Sequence, residues 1–394
     1  MKFSILIPTK NRLKFLKYAL NSVLHQREHN WEVIVSDNCS EEAIEDYISS
    51  LAEKRIFYSR SDTPLSVTEN WNRALEFSSG DYVIMLGDDD CLIQDYFTLV
   101  SQLLSNYENP DFIYSRSLLF AYPGVIQGNP QGNLIKWNNW GLWRSSDPFW
   151  LKREQADKLI QETLNFRVTF TYNMQFATIR RSFIETLKAE KKFFHSPYPD
   201  YYAMTLMMLK GEKILASPLP LTIVGITPKS FGFYYFNEQE EEGAQFLNHQ
   251  KELLQYPHLK SLLLPGSAMN TCWLYALDSV IRNSDSSQQL KVNIGRYRAL
   301  QAIKFLEASK GESYPFSKVI SYCALMNLKE RMTLGSLMLL TSTVTFLLGA
   351  KWGNRVVLIM KKIWNPHPSY SSVELRGHYK DIGEIFEKYH PLDV

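Results

Sequence analysis

Between Phe3 and Leu86, short apolar runs alternate with helical repeats, and few folds accommodate that rhythm. Phe3–Ile7, Trp31–Ser36, Ile56–Tyr58 and Val83–Leu86 each have the length of a strand. Their near-continuous apolar character suits strands covered on both faces. Between the first two, Leu13, Leu16, Leu20 and Val23 recur at helical spacing. A second helical stretch runs from about Glu41 to Ala52. Ser66-Val67-Thr68-Glu69 is a capping box that opens a third helix, running to Phe77 and terminated by Gly80. Such alternation predicts an α/β fold, with a mostly parallel, Rossmann-like sheet flanked by helices.

In open sheets of this kind ligands bind beyond the carboxyl ends of the strands. Three polar segments fall there: Pro8-Thr9-Lys10-Asn11-Arg12, Asp37-Asn38, and Gly87-Asp88-Asp89-Asp90. Clustered carboxylates are hard oxygen donors suited to Mg²⁺ or Mn²⁺, which take one or two of them plus substrate phosphates. Backbone amides, an acceptor at Asp37 for a base N–H, and a metal site would together suit a nucleotide diphosphate. Plainer readings stay open at this level. Asp37 also fits an Asx-turn, and Asp90 fits a cap for a helix before Tyr96.

The 394 residues allow one large domain with appendages, or two domains. A net charge of +2 leaves no basic footprint for a nucleic-acid partner. Cys39, Cys91, Cys272 and Cys323 form no CxxC pair, so free thiols in a reducing compartment are expected. The N-terminus is apolar only as far as a strand and lacks a signal-peptide pattern, which points to the cytoplasm. Three regions are expected: a nucleotide-binding half at 1–120, an acceptor-binding half at 121–250, and a helical region at 251–394. Trp137, Trp140, Trp143 and Trp150 fall in or beside an irregular stretch, and are expected in core for the most part, with one or two forming a binding wall. Val168–Ile179 reads as strand-like.

Four pieces, in order and spacing, resemble family 2 glycosyltransferases of the GT-A fold. They are Phe3–Arg12, Val33–Asn38, Asn72-Arg73-Ala74-Leu75 with Gly80-Asp81-Tyr82, and Leu86–Asp90. The Ser-Asp-Asn and Gly-Asp-Asp-Asp variants look like a bacterial subgroup that builds surface polysaccharides. The resemblance implies a nucleotide-sugar site drawn from Pro8, Thr9, Asn11, Arg12, Asp37, Asn38, Asn72, Arg73 and Asp88, with Asp37 on the base. It also implies that Asp88–Asp90 is the DXD motif: Asp89 the main metal ligand, Asp88 nearer the ribose, Asp90 supporting. The Gly87 position is often acidic in relatives, so which of the three acids matter stays open. Sugar transfer with inversion also needs a carboxylate base for the acceptor hydroxyl. Family members carry it in the second half, often as the Asp of a Glu-Asp pair ahead of a helix. Asp200 in Ser196-Pro197-Tyr198-Pro199-Asp200 matches that position, with Pro199 replacing the acid. Its plain alternative is a helix N-cap.

The expected reaction is metal-assisted transfer from a nucleotide-sugar to a lipid-linked oligosaccharide or growing glycan. Met332–Ala350 carries no charge, and no acid occurs from Arg331 to Val373, while Lys351, Arg355, Lys361 and Lys362 follow. That tract suits an interfacial helix on the inner face of the membrane, or a buried hairpin with a solvated basic end, and is only marginally long enough for a true span. Two rivals remain. A sugar-1-phosphate nucleotidyltransferase would show a Gly-rich loop after the first strand, which Pro8–Asn11 lacks. An inactive scaffold of a glycan-synthesis complex is disfavoured by the intact acids.

Overall fold

In the computed structural model, β1 (Phe3–Thr9) lies between β2 (Trp31–Asp37) and β4 (Tyr82–Met85), and β3 (Ile56–Arg60) extends the sheet beyond β2. All three pairings are parallel. The description covers residues 1–126, 130–137, 142–143, 145–237, 239, 242–243, 253–284, 290–308, 316–364 and 373–389. Helices α1 (Leu13–Leu24), α2 (Ile44–Ser50), α3 (Val67–Glu76) and α4 (Tyr96–Asn106) follow the strands in alternation. The capping box forms: Ser66 Oγ accepts from Glu69 N, and Glu69 returns a bond to Ser66 N at 2.9 Å. Helix α2 starts later than its sequence pattern, because residues 38–43 are drawn into the loop at the strand ends.

Antiparallel pairing enters beyond β4. Strand β9 (Ala177–Arg180) inserts between β4 and β6 (Phe112–Ala121), antiparallel to both. Of the strand-like Val168–Ile179 stretch only Ala177–Ile179 pair, continued by Arg180; Met174–Phe176 is a 3₁₀ turn. Strand β6 also pairs in parallel with β10 (Ile214–Ile226), which covers β5 (Cys91–Leu92) and β8 (Phe149–Trp150). At the far edge β7 (Gly132–Trp137) pairs with β11 (Val373–Tyr379), contributed by the end of the chain.

Helices α5 (Arg153–Leu164), α6 (Arg181–Leu187), α7 (Pro199–Lys210) and α8 (Phe231–Phe236) belong to the second half. Beyond them lie α9 (Ala268–Asn283), α10 (Ile294–Glu307), α11 (Phe316–Ala324), α12 (Leu328–Leu348), α13 (Ala350–Trp364) and α14 (Ile382–Lys388). The main core runs from Ile5 and Ile84 through Phe112 and Tyr202 to Trp273 and Ile385. A second, smaller core joins α10–α13 through Ala302, Ile303, Tyr322, Met338 and Met360.

Candidate active site

Register brings the three polar segments to one edge. Thr9 pairs with Asp37, Leu6 with Met85, and Leu86 N continues the ladder to Leu6 O at 2.8 Å. Residues 87–90 therefore leave the sheet beside Thr9. Thr9 Oγ1 donates to Asp88 Oδ2 at 2.7 Å. Arg12 reaches both neighbouring acids, pairing with Asp88 Oδ1 at 2.9 Å and closely with Asp89 Oδ2. Its guanidinium also donates to Thr227 Oγ1 at 2.7 Å and Ser230 Oγ at 3.2 Å. Ser230 Oγ in turn donates to Asp89 Oδ2 at 2.5 Å.

The three acids differ in what surrounds them. Burial pushes the Asp88 carboxyl above the usual range, and Arg12 pulls it back. Burial by itself would lower the Arg12 guanidinium, yet the charges of Asp88 and Asp89 raise it. Asp90 is turned inward, accepting from Gly225 N at 2.8 Å, Gly87 N at 2.7 Å and Gln175 Nε2 at 2.8 Å. Burial, then the neighbouring Asp89 charge, raises its carboxyl despite those three donors. Asp90 thus ties the acidic turn to β10, and Cys91–Leu92 rather than a helix follows it. A Cβ at Gly225 would fall 1.9 Å from Asp89 O, so only glycine allows so close an approach.

A divalent cation fits the chemistry of this edge, although among the described residues no group of three or more His, Cys, Asp or Glu side chains forms a chelating cluster. Asp89 Oδ2 accepts from Arg12 and Ser230, and Asp89 Oδ1 takes no hydrogen bond among the described residues. A single hard oxygen beside a second carboxylate suits Mg²⁺ or Mn²⁺ completed by phosphates and water.

Asp37 and its neighbours build the adjoining loop. Asp37 Oδ1 accepts from Ser40 N at 3.0 Å and Oδ2 from Tyr58 Oη at 2.8 Å, and the residue is 1% exposed. Burial, then Asp37, raises the Tyr58 phenol. Asn38 clasps Leu65 through both its N–H (2.7 Å) and its C=O (3.0 Å). Asn11, at φ 52°, donates N–H to Ser40 Oγ and accepts from Glu41 N. Pro8 pairs with Ser36 along the strand. Arg73 bonds Ser36 Oγ and the Ser59 backbone and hydroxyl, and Asn72 faces residue 194. These side chains brace the edge from within.

Asp200 sits in the first turn of α7, after Pro199 at its start. Its Oδ1 accepts from Tyr201 N at 2.9 Å, so it is not the capping residue, which is Tyr198. Burial pushes the Asp200 carboxyl up to about 7, with the Tyr201 N–H opposing. Aromatic rings surround this turn: Tyr198 meets Phe231 at 5.2 Å, and Tyr201 stacks with Tyr172 at 4.3 Å and lies 4.6 Å from Trp273. Consecutive residues join the two regions, since Ser230 bonds Asp89 and Phe231 packs on Tyr198.

Sequence reasoning missed Thr227, Ser230, Gln175 and Gly225. The available signal was Thr227-Pro228-Lys229-Ser230 directly after an apolar strand, the same arrangement as Pro8–Arg12. Of the tryptophans, Trp143 stacks on Tyr114 at 5.5 Å beneath Arg116, and Trp150 is 41% exposed. Trp140 and the side chain of Trp137 lie outside the described residues. His195 bonds the Ala189 and Lys192 carbonyls, a bracing role.

Residues 4–185 match the family described as Glycosyl transferase family 2. The match includes the acidic edge and ends before Asp200. The Escherichia coli protein WcaA, named for colanic acid biosynthesis as a glycosyl transferase, is 36% identical over 89 residues, 22% of this chain and 32% of its own length. The Salmonella typhimurium abequosyltransferase RfbV is 31% identical over 111 residues, 27% of this chain and 33% of its own. This chain therefore spans about a third of the length of these curated relatives. A solved structure of Staphylococcus aureus TarS 1–349 superposes with a TM-score of 0.45 at 15% identity, covering 95% of this chain and 96% of that one. Over residues 4–185, just under half of its length, the chain is thus similar to glycosyl transferase family 2.

Proposed function

We propose that this protein is an inverting, metal-assisted glycosyltransferase that moves a sugar from a nucleotide-sugar to a surface-polysaccharide or lipid-linked oligosaccharide acceptor. The observation that carries the reading is the Asp88–Arg12–Asp89 bridge at the carboxyl edge of the parallel strands, inside the family-matched segment. Two relatives support the acceptor class by their names, one for colanic acid biosynthesis and one for abequosyl transfer.

Asp89, with Asp88 beside it, would hold Mg²⁺ or Mn²⁺, which supplies Lewis-acid stabilisation to the departing diphosphate. Arg12 offers a second positive charge at the same edge, already oriented by Thr227 and Ser230. Asp37 and Asn38 shape the loop that would receive the base. Asp200 takes the proton from the acceptor hydroxyl as that oxygen attacks the anomeric carbon and the nucleoside diphosphate leaves. Its carboxyl, raised to about 7 by burial, is matched to that work near neutral pH. The aromatic surroundings at Tyr198 and Tyr201 keep water from the proton-transfer site.

A thermal-shift screen of UDP-, GDP-, dTDP- and CDP-sugars with Mn²⁺ identifies the donor, and transfer is then assayed with Asp89→Ala. The variant should lose metal-dependent transfer and bind donor weakly. Undiminished transfer by Asp89→Ala, or no response to any nucleotide-sugar, would sink the reading.

A further inference from the structure

Helix α12 averages a mean hydropathy of 1.3 in its most apolar window, yet only 28% of that window is buried. A helix apolar on all sides belongs inside a core or against lipid. One side of α12 is covered: Leu334 and Met338 join the second core. The opposite side is bare, with Met332, Leu340 and Leu347 exposed at 70%, 51% and 68%. Helix α13 repeats the arrangement, sending Val357 and Met360 inward while Trp352, Ile359 and Ile363 stay exposed. The two helices form a tight hairpin, turning at Gly349 (φ +84°). At Gly353 an added Cβ would fall 1.8 Å from Thr345 Oγ1. Phe316 of α11 meets Phe346 at 6.3 Å and widens the apolar surface.

We propose that the outer face of this hairpin docks on an anionic lipid bilayer and lies in its interface. The charge pattern selects that occupant. Lys351, Arg355 and Lys362 are exposed beside the apolar side chains, and no acid occurs between residues 331 and 373. Lys361 is satisfied separately by Glu307 at 2.7 Å. The Arg355 guanidinium lies 4.5 Å from the Trp352 ring centre, pairing an amphipathic ring with a cation able to reach headgroups. Basic side chains flanking an apolar face are what an anionic leaflet attracts. A second copy set face to face by a two-fold axis would bring cation to cation with no acid between.

By length and composition α12 alone could cross a bilayer, but the hairpin as a unit does not. A span needs about 20 predominantly apolar residues, and α13 has 15 residues, four of them Lys or Arg. Helix α12 is held to α13 on one side and to the second core on another. This docking uses no residue of the acidic edge or of the Asp200 turn, so it stands or falls independently of the transferase reading.

The test is co-sedimentation of the full chain with phosphatidylcholine vesicles, with and without phosphatidylglycerol, at low and high salt. Binding should require phosphatidylglycerol and weaken with salt. The triple variant Lys351→Gln, Arg355→Gln, Lys362→Gln should weaken it about a hundredfold. Leu340→Gln with Leu347→Gln and Ile359→Gln should abolish it, while the circular dichroism spectrum and soluble-donor binding are retained. Absence of binding to anionic vesicles, or binding unchanged in both variants, overturns the proposal. A concentration-dependent dimer abolished by the apolar variant would give the face to a second copy and overturn it as well. Resistance of the membrane-bound chain to alkaline extraction would mean a true span, with the same consequence.

Discussion

Asn72 and Phe194, 122 residues apart, are joined by two hydrogen bonds: Asn72 Nδ2 donates to Phe194 O at 2.8 Å, and Phe194 N donates to Asn72 Oδ1 at 3.0 Å. One turn earlier, Thr68 Oγ1 donates to Ser196 O at 2.6 Å. Helix α3 thereby anchors the segment that leads into Asp200. Helix α3 and the turn that carries Asp200 are held together by a buried polar seam.

Asn72→Ala should therefore act on the acceptor side. Two buried backbone groups lose their partner, a cost of about 1–3 kcal/mol each. Turnover should fall while donor affinity changes little, because the nucleotide edge keeps its own bonds. Denaturant titration and a kcat-against-donor-KM comparison check both expectations.

Arg12→Met should leave Asp88 and Asp89 without their cation. The three side chains are 11%, 4% and 10% exposed, so the loss approximates the breaking of a buried pair, about 3–5 kcal/mol. With the guanidinium gone, the Asp88 carboxyl, already raised by burial, rises further. Its charged form then costs stability at high pH, and protonation relieves it as pH falls. The destabilisation measured by urea unfolding without metal should be larger at pH 8 than at pH 5, and Arg12→Lys should recover part of it.

The pH dependence of Asp200 has two faces of opposite sign. In the proposed role of base it works deprotonated, so turnover should decline as pH falls through about 7. For stability, the carboxyl moves from 3.8 to about 7 on burial, so folding favours the protonated form. The penalty of holding the charge is absent below the unfolded value, grows between the two, and is complete above about 7. Asp200→Asn removes it, so the variant's gain in Tm over the wild type should widen between pH 4 and pH 8 while transfer collapses. Equal Tm differences at both pH values would contradict the raised carboxyl.

Gly225→Ala tests the link between β10 and the acidic turn. The new methyl group meets a backbone carbonyl, which cannot rotate aside, so the strand or the turn must shift. Overpacking of this kind costs about 1–3 kcal/mol. Donor binding should weaken with it, because the carbonyl belongs to Asp89; calorimetric titration with the nucleotide-sugar measures that loss.

The parallel half of the sheet was legible because its signals are local. Strand β1, the Ser66–Glu69 capping box and the run into Asp88 are each contained within a few residues, and their order implied a shared edge. The inward role of Asp90 and the contribution of Ser230 were not legible. Gln175, Gly225 and Ser230 lie 85, 135 and 141 residues from the acids they bond. Their arrival depends on β9 and β10 pairing in the mixed part of the sheet, which no local pattern encodes. Val168–Ile179 illustrates the same limit, since its apolar residues face core without joining a ladder until Ala177. For Asp37 the sequence offered two readings, a turn former and, by resemblance, a base contact. The structure gives its oxygens to Ser40 and Tyr58, bonds that fix the loop's shape.

The far edge of the sheet is completed by β11, and the segment after it returns to the beginning of the chain. Tyr18 Oη donates to Asp381 Oδ2 at 3.1 Å, and Gln94 Nε2 donates to Phe386 O at 2.8 Å. During synthesis, β7 must consequently wait with an unpaired edge while more than half of these residues emerge from the ribosome. The first helix likewise lacks its cover until α14 is made. Closure of the sheet and cover of α1 thus both wait on residues 373–388, and a truncation that removes them disturbs the sheet and α1 together.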